Sequence, residues 1–210
     1  MAIVLAYLIG GTPIGVLIGR AKGVDIRRVG SGNIGASNVM RVLGMKLGLL
    51  AFAGDVLKGA LPVLVARSLF HLTHEPSGWA LPACGAAAVI GHCYSPYLRF
   101  AGGKAVATGL GIILAIQWPV GVVCFSTWII VVALTRYISV ASMVAYGVSP
   151  LVAWAFGGAG STIAMAGFLA LLSAYRHREN IRRLLAGTES KIGQRVMGEA
   201  PTDRGEQCHG

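Results

Sequence analysis

The fold depends on residues 105–134, which read AVATGLGIILAIQWPVGVVCFSTWIIVVAL. No charged residue interrupts this stretch, and as one helix it would reach about 45 Å at about 1.5 Å per residue. The hydrocarbon core of a bilayer is only about 30 Å thick. The break at Gln117, Trp118 and Pro119 therefore predicts two short membrane-spanning helices where a single helix would be far too long.

The remainder of the chain is similarly apolar. Of its 210 residues, 55% are hydrophobic and 12% are charged, whereas soluble domains are roughly 45 to 50% apolar. We predict an all-α integral membrane protein, a bundle of seven transmembrane helices. The seven apolar runs are residues 2–18, 47–69, 79–98, 105–117, 120–134, 138–156 and 161–175. No basic segment precedes the first run, which favours a retained span over a cleaved signal peptide.

Charge predicts the orientation, because cytoplasmic loops collect lysine and arginine. With seven spans, Arg67 alone lies near the opposite face. The basic residues that share the other side are Arg20, Lys22, Arg27, Arg28, Arg41, Lys46, Arg99, Lys104, Arg136, Arg176, Arg178, Arg182, Arg183, Lys191 and Arg195. We predict a periplasmic N-terminus and a cytoplasmic C-terminus, with one membrane domain over residues 1–193 and a polar, disordered tail over residues 194–210. This topology accounts for the net charge of +10, so we expect no nucleic-acid partner.

Three polar segments interrupt the apolar chain, and they hold most of the residues that could do chemistry. The first polar segment is residues 30–41, the second is residues 102–108 and the third is residues 177–184. They follow spans one, three and seven, so all three are predicted on the cytoplasmic face. Polar groups gathered at one interface favour an active site there, whereas transporters place their key groups near the midplane.

The first polar segment contains glycines in the spacing Gly-x-Gly-x-x-Gly, with Asp55 about twenty residues further on, as in dinucleotide-binding proteins. That fingerprint requires a preceding strand and a parallel sheet, and here transmembrane helices flank it, so we predict no bound NAD or FAD. Backbone N–H groups in such a loop can instead bind an anion. The glycines and polar side chains that could do so are Gly30, Ser31, Gly32, Asn33, Gly35, Ser37 and Asn38. Arg41 could bind phosphate with two hydrogen bonds, and the alternative is a tight polar loop between helices.

The second and third segments add further candidates. Gly102 and Gly103 allow close approach of a ligand, Lys104 adds a charge, and Thr108 lies one turn into a helix whose N-terminus favours phosphate. In the third segment His177 and Asn180 are three residues apart, so a continuation of span seven would place them on one face. Arg178 lies between these two. The alternatives are an ordinary interfacial lysine and an ordinary interfacial histidine.

Other polar residues are predicted to be structural. Asp55 and Lys58 lie three residues apart in span two, where they are expected to form an intramembrane ion pair. His92 could line the site or fix the loop that follows span three, and we favour the structural role. The four cysteines, Cys84, Cys93, Cys124 and Cys208, show neither CxxC spacing nor a metal-ligand cluster, so no metal is predicted.

Taken together, the three polar segments resemble the three signature motifs of the bacterial acyl-phosphate:glycerol-3-phosphate acyltransferases, the PlsY family. The matching patterns are Gly-Ser-Gly-Asn-Ile-Gly-Ala-Ser-Asn-x-x-Arg, Gly-Gly-Lys-Ala-Val-Ala-Thr and His-Arg-Glu-Asn-Ile-x-Arg-Leu-x-x-Gly-x-Glu. The resemblance covers nearly the whole chain, in order and at compatible spacing. Ser37 stands where threonine is expected, and the residues beyond Gly193 match nothing in the family.

The resemblance implies transfer of a fatty acyl group from acyl phosphate to the 1-hydroxyl of glycerol 3-phosphate, giving lysophosphatidic acid and phosphate in phospholipid synthesis. It places the reaction at the cytoplasmic face of the bacterial inner membrane, with no cofactor and no metal. The residues it implies as catalytic are Ser31, Arg41, His177 and Asn180. Residues 102–104 would bind glycerol 3-phosphate, and Glu189 would be structural.

A direct attack of the glycerol hydroxyl on the acyl carbonyl is our mechanistic hypothesis, with the acyl chain in a groove open to lipid. The proton acceptor stays open between His177 and a substrate phosphate oxygen, and Ser31 as an acyl-carrying nucleophile is the competing mechanism. Two other functional classes also stay open. A small anion transporter would show inverted repeats, and none is found in the sequence. A membrane scaffold would use its basic tail to bind anionic lipid.

Overall fold

The computed structural model describes residues 1–73 and 78–192, and in that part it holds ten α-helices and no strand. The helices are α1 Ala2–Gly11, α2 Ile14–Ala21, α3 Ala36–Leu43, α4 Met45–Thr73, α5 Ala80–Cys93, α6 Val106–Ile116, α7 Trp118–Thr135, α8 Ile138–Ala155, α9 Gly160–Arg176 and α10 Arg178–Leu185. A short 3-10 turn, Pro96–Leu98, follows α5. The predicted tail over residues 194–210, with Cys208, lies outside the described residues.

Helices lie on all seven of the predicted apolar runs. Four segments are long and apolar enough to cross a bilayer, and these are Ala2–Ala21, Met45–Leu69, Trp118–Thr135 and Ile138–Ala155. The other three helices on apolar runs, α5, α6 and α9, have 14, 11 and 17 residues. Large apolar side chains on the bundle surface remain exposed, among them Leu57, Ile130 and Leu171. An all-helical membrane protein is therefore confirmed, as is the break between α6 and α7 at Gln117.

Three local features differ from the prediction. The first span breaks at Thr12 and Pro13, because proline has no N–H for the helix ladder and its ring clashes with the preceding turn. The first polar segment is only partly a loop, since α3 occupies its second half. The prediction that span seven continues as one helix through Asn180 was wrong, because α9 ends at Arg176 and α10 begins one residue after His177.

Glycines bring two pairs of helices into backbone contact. Between α1 and α5, a Cβ placed on Gly10 would lie 2.0 Å from the carbonyl oxygen of Ala88. Between α4 and α6, a Cβ on Gly59 would lie 2.1 Å from the carbonyl oxygen of Thr108, and one on Gly111 would lie 2.0 Å from that of Val56. Small residues allow this close packing in membrane helices. The two helices that flank the second polar segment, α5 and α6, are thus each held by a neighbour.

The predicted intramembrane ion pair is present. Lys58 Nζ lies 2.8 Å from Asp55 Oδ1, and both side chains are at most 5% exposed. Lys58 also donates to the carbonyl oxygen of Thr12 at 2.7 Å, and Ser95 Oγ donates to that of Gly11 at 2.6 Å. The carbonyl groups of Thr12 and Gly11, at the break between α1 and α2, therefore accept hydrogen bonds from α4 and from the loop after α5, and that of Thr12 also accepts from the N–H of Ile14.

Contacts between connecting segments fall into two groups. In one group, Arg67 donates to the carbonyl oxygen of Ile116, Gln117 to that of Phe156, and Ser161 to that of Gly78. In the other group, Arg136 and Ile192 exchange two hydrogen bonds, and Ser139 donates to Glu189. The second and third polar segments belong with this latter group.

Candidate active site

The first polar segment is held together by Asn38. Its side chain is fully buried, accepts from the N–H of Ser31 at 2.8 Å and donates to the carbonyl oxygens of Ile26 and Val29. Gly30 and Gly32 adopt φ values of +63° and +69°, which glycine reaches without strain. Asn38, predicted as a phosphate donor, therefore lies where it shapes the loop that precedes α3.

Other polar side chains of this segment are left unpaired. Ser31, Asn33, Ser37 and Arg41 make no side-chain hydrogen bond or ion pair with any residue among 1–73 and 78–192. The Ser31 residue is exposed, and the other three residues are partly exposed. Four donors without internal partners, beside a loop that is itself well ordered by Asn38, are available to a ligand.

The second polar segment is fixed by its backbone groups. Gly103 N–H donates to the carbonyl oxygen of His92 at 3.1 Å. The guanidinium of Arg176 donates to the carbonyl oxygens of Gly102 and Gly103 at 2.9 and 3.0 Å and lies over the ring of Tyr94. These bonds direct the carbonyl oxygens of both glycines towards Arg176. The first-turn N–H groups of α6, which begins at Val106, are left for a ligand.

The third polar segment contributes a buried histidine. His177 is 2% exposed, and its Nδ1 lies 2.8 Å from the carbonyl oxygen of Ser173. Because a carbonyl can only accept, Nδ1 carries the hydrogen and Nε2 keeps a free lone pair. Burial lowers the pKa of His177 to about 4, with the positive charges of Lys104 and Arg176 acting in the same direction. The ring is therefore neutral at physiological pH and can accept a hydrogen bond through Nε2.

Asn180 joins the second segment to the third. It accepts from Lys104 Nζ and donates to Glu189 Oε1 at 2.6 Å. Ser139 Oγ also donates to Glu189 Oε1, at 2.7 Å, and Arg183 Nε donates to Oε2 at 2.8 Å. Burial raises the pKa of Glu189, but these three hydrogen bonds outweigh it and the net pKa is below the usual value. Glu189 is thus a charged acceptor that anchors Asn180.

The charges connect Lys104 to the first segment as well. Burial lowers the pKa of Lys104 to about 8, and the nearby positive charges of Arg183, Arg176 and Arg41 contribute, while Glu189 opposes them. Arg41 on α3 is therefore close enough to Lys104 for their charges to interact. Leu98, from the loop after α5, also packs in one apolar cluster with Ile26, Ile34 and Val39. All three polar segments meet at one end of the bundle.

The region between them, which we call the candidate pocket, carries net positive charge. The charges that act on Lys104 are those of three arginines, Arg41, Arg176 and Arg183, and of one carboxylate, Glu189, which Arg183 contacts directly. Within the described ranges no three His, Cys, Asp or Glu side chains are grouped to hold a metal ion. Such a pocket suits two phosphate-bearing ligands.

A profile described as Glycerol-3-phosphate acyltransferase matches residues 1–187. The chain belongs to the glycerol-3-phosphate acyltransferase family. Family members that it resembles include one from Rubrobacter xylanophilus, 46% identical, covering 94% of this chain and 97% of the relative. Another, from Geobacter sulfurreducens, is 46% identical, covering 90% of this chain and 94% of the relative.

Two solved structures of PlsY, described as an integral membrane glycerol 3-phosphate acyltransferase, are similar to this fold. One is its glycerol 3-phosphate form, with a TM-score of 0.86 and 42% identity. The other is its lysophosphatidic acid form, with a TM-score of 0.84 and 41% identity. Each comparison covers 91% of this chain and 94% of the other.

Not every predicted residue of this acyltransferase meets the others. Thr108 is fully buried, where its backbone packs on Gly59 of α4. Arg178 is exposed and lies over the ring of Tyr175. The sequence places Arg176 one residue before His177, among the basic residues around the third segment, but it does not indicate the contact of Arg176 with the second segment. No sequence signal indicated Ser139, which contacts Glu189.

Proposed function

We propose that this acyltransferase moves a fatty acyl group from acyl phosphate to the 1-hydroxyl of glycerol 3-phosphate, releasing lysophosphatidic acid and phosphate. The observation that carries the proposal is the meeting of Arg41, Lys104 and the neutral His177 in one positively charged pocket. Two anionic reactants need such a pocket, since their phosphates repel one another in water. The glycerol 3-phosphate and lysophosphatidic acid forms of the related PlsY structures support the acceptor and the product.

The pocket would face the cytoplasm of a bacterial inner membrane. We propose that all seven apolar segments cross the bilayer, with the N-terminus periplasmic and the C-terminus cytoplasmic. The two groups of contacts between connecting segments support this, because successive segments alternate between them. The distribution of lysine and arginine supports the same orientation. The shorter α5, α6 and α9 would then cross with part of their connecting segments at membrane depth, which is tolerated where backbone lies inside protein.

The cationic groups have distinct proposed roles. Arg41 is free to bind a phosphate through two parallel hydrogen bonds, with Ser31, Asn33 and Ser37 as additional donors. Lys104 would bind the phosphate of glycerol 3-phosphate as a point charge, and Asn180 holds it in place. Arg176 would act on the same phosphate only indirectly, through the carbonyl oxygens that it fixes.

His177 would orient the attacking hydroxyl. Its Nε2 lone pair can accept the hydroxyl hydrogen, but a group whose pKa is about 4 is a weak base, and general bases work best when their pKa lies near the working pH. We propose that a phosphate oxygen of the substrate takes the proton, while His177 fixes the hydroxyl.

Direct transfer fits the remaining geometry better than an acylated Ser31. A serine nucleophile needs an adjacent base, and the Ser31 hydroxyl has no partner among residues 1–73 and 78–192. Acyl phosphate is already activated, so positioning of the reactants and stabilisation of the departing phosphate can supply most of the acceleration. No cofactor is required. The acyl chain would lie between helices, in contact with lipid.

The decisive experiment uses the purified full-length protein with glycerol 3-phosphate and either acyl phosphate or acyl-CoA. We expect lysophosphatidic acid from acyl phosphate alone. The matched pair of variants is Lys104→Met, which should lose activity, and Lys46→Met, an exposed lysine whose loss should leave activity intact. Formation of lysophosphatidic acid from acyl-CoA and not from acyl phosphate would refute acyl phosphate as the donor. A stable acyl group on Ser31, formed with labelled donor alone, would refute direct transfer.

A further inference from the structure

Beneath the second polar segment lies a group of buried polar side chains that the proposed reaction does not use. His92 on α5 is 4% exposed, and its Nδ1 has no hydrogen-bond partner in the described part of the chain. Asp55 Oδ1 lies 4.0 Å from Nδ1, and Asp55 is held in turn by Lys58. An apolar side chain would occupy this place without the cost of an unpaired buried group, about 1 to 3 kcal/mol for such groups in general.

The other edge of the ring touches the second polar segment. A Cβ placed on Gly103 would lie 2.2 Å from His92 Nε2, 2.8 Å from Cε1 and 3.2 Å from Cδ2. These three ring atoms are its nearest obstacles. The backbone of His92 also accepts the N–H of Gly103, so the residue contacts Gly103 both through its ring and through its carbonyl oxygen.

Gly102, the residue before Gly103, makes a different contact. A Cβ placed there would lie 2.2 Å from the carbonyl oxygen of His92 and 2.4 Å from that of Cys93. These are backbone atoms, which no side-chain change at His92 removes. The two adjacent glycines therefore form a matched pair, one facing the imidazole ring and the other facing main chain.

We infer that His92 is a positioning residue, whose buried ring, backed by the Asp55 and Lys58 pair, sets the place of Gly103 and so of the phosphate-binding loop. The contact at the ring and the bond to the His92 carbonyl restrain Gly103 from the α5 side. Arg176 restrains the same residue through its carbonyl oxygen at 3.0 Å. Lys104, the next residue, is thereby aimed at Asn180 and at the ligand. This inference rests on the proposed function, because it concerns binding of glycerol 3-phosphate by that loop.

The test measures KM and kcat for both substrates in single and double variants. Gly103→Ala should raise the KM for glycerol 3-phosphate by about tenfold to a hundredfold, as roughly 1 Å of misplacement can. The kcat and the KM for acyl phosphate should change much less. His92→Ala should show the same split. A purely structural role would instead lower the yield of folded enzyme and leave both KM values unchanged.

The double variants distinguish the contact of the His92 ring with Gly103 from the main-chain contact at Gly102. With His92→Ala, the Gly103→Ala methyl group has room, so the combined rise in KM should be well below the product of the two single effects. His92→Ala with Gly102→Ala should give the full product, because that clash is with main chain. The inference would be overturned if the KM effects of His92→Ala were equally coupled to those of Gly103→Ala and Gly102→Ala, or were coupled to neither.

A control variant and a substitute variant complete the test. The control is Met165→Ala, in the apolar wall of the small cavity bounded by Ile113 and Val120, which should lower thermal stability with no change in either KM. If His92→Ala does not fold, His92→Asn shortens the side chain at the same edge and replaces it in the double variants. An unchanged KM in Gly103→Ala alone would already refute the contact. Failure of the wild-type protein to form lysophosphatidic acid would instead refute the proposed function.

Discussion

Glu189 is the residue whose removal the structure describes in most detail. Its Oε1 accepts from Ser139 and Asn180, whose residues are 4% and 7% exposed, and its Oε2 accepts from Arg183, whose side chain is 44% exposed. Glu189→Ala leaves two buried donors without an acceptor, at about 1 to 3 kcal/mol each. The exposed arginine pair adds at most about 1 kcal/mol. We expect a loss of about 3 kcal/mol in the free energy of unfolding.

Thermal unfolding of the purified protein measures this loss. For a chain of this size, about 3 kcal/mol corresponds to a decrease of roughly 6 to 12 °C in Tm. Activity should decrease too, because Asn180 loses the acceptor that orients it and Lys104 loses its fixed partner. The kcat/KM should decrease by about tenfold to a hundredfold, as expected when a binding group shifts by roughly 1 Å.

Glu189→Gln is the matched control for this prediction. The amide oxygen can still accept from Ser139 and Asn180, and only the contact with Arg183 is lost, so the decrease in Tm should be no more than about a third of that for Glu189→Ala. Arg183→Ala should resemble the glutamine variant. Equal decreases for Glu189→Ala and Glu189→Gln would show that charge, and not the two buried hydrogen bonds, accounts for the effect, which would refute the reasoning.

Three further predictions concern titration and the buried ion pair. Burial lowers the pKa of Lys104 to about 8, so its charge is lost as the pH rises through that value. The KM for glycerol 3-phosphate should therefore rise above about pH 8. In Lys104→Arg, which stays charged, the same rise in KM at the same pH would contradict this. Burial lowers the pKa of His177 to about 4, so any decrease of kcat that sets in on acidification above about pH 5.5 is due to titration of the substrate phosphate. That decrease should occur at the same pH in His177→Gln. If it is absent in that variant, His177 acts as a general base. Lys58→Met should lower Tm more than the double change Asp55→Asn with Lys58→Met, because the single variant leaves a buried carboxylate unpaired; an additive double variant would show that the two charges do not interact.

The helical bundle could be predicted from the sequence because its signal is local. Apolar runs separated by charged or proline-containing breaks, such as the one at Gln117, directly predict where helices begin and end. The short helix α3 was missed because the glycines before Ala36 indicate a loop, and helix formation there depends on packing of Val39 against α2 and α4. Tertiary contact decides such short elements more than intrinsic preference does.

The sequence supplied the candidate site residues but not the contacts between them. Lys104 and Asn180 were both identified as candidates, yet they are 76 residues apart in the chain and their contact depends on how α6 and α9 pack. Asn38 has the same residue type as a ligand donor and lies among ligand donors. Only the structure distinguishes it, because its three hydrogen bonds all go to the loop itself.

The glycine contacts between α1 and α5 and between α4 and α6 limit which parts of the pocket can rearrange. Sliding either pair would drive main chain into main chain, since Gly10, Gly59 and Gly111 leave no gap. The loop between α5 and α6 is consequently preformed before any reactant arrives. Residues 23–35 are tied to α3 by the three hydrogen bonds of Asn38, so any rearrangement of that side of the pocket involves α3 as well.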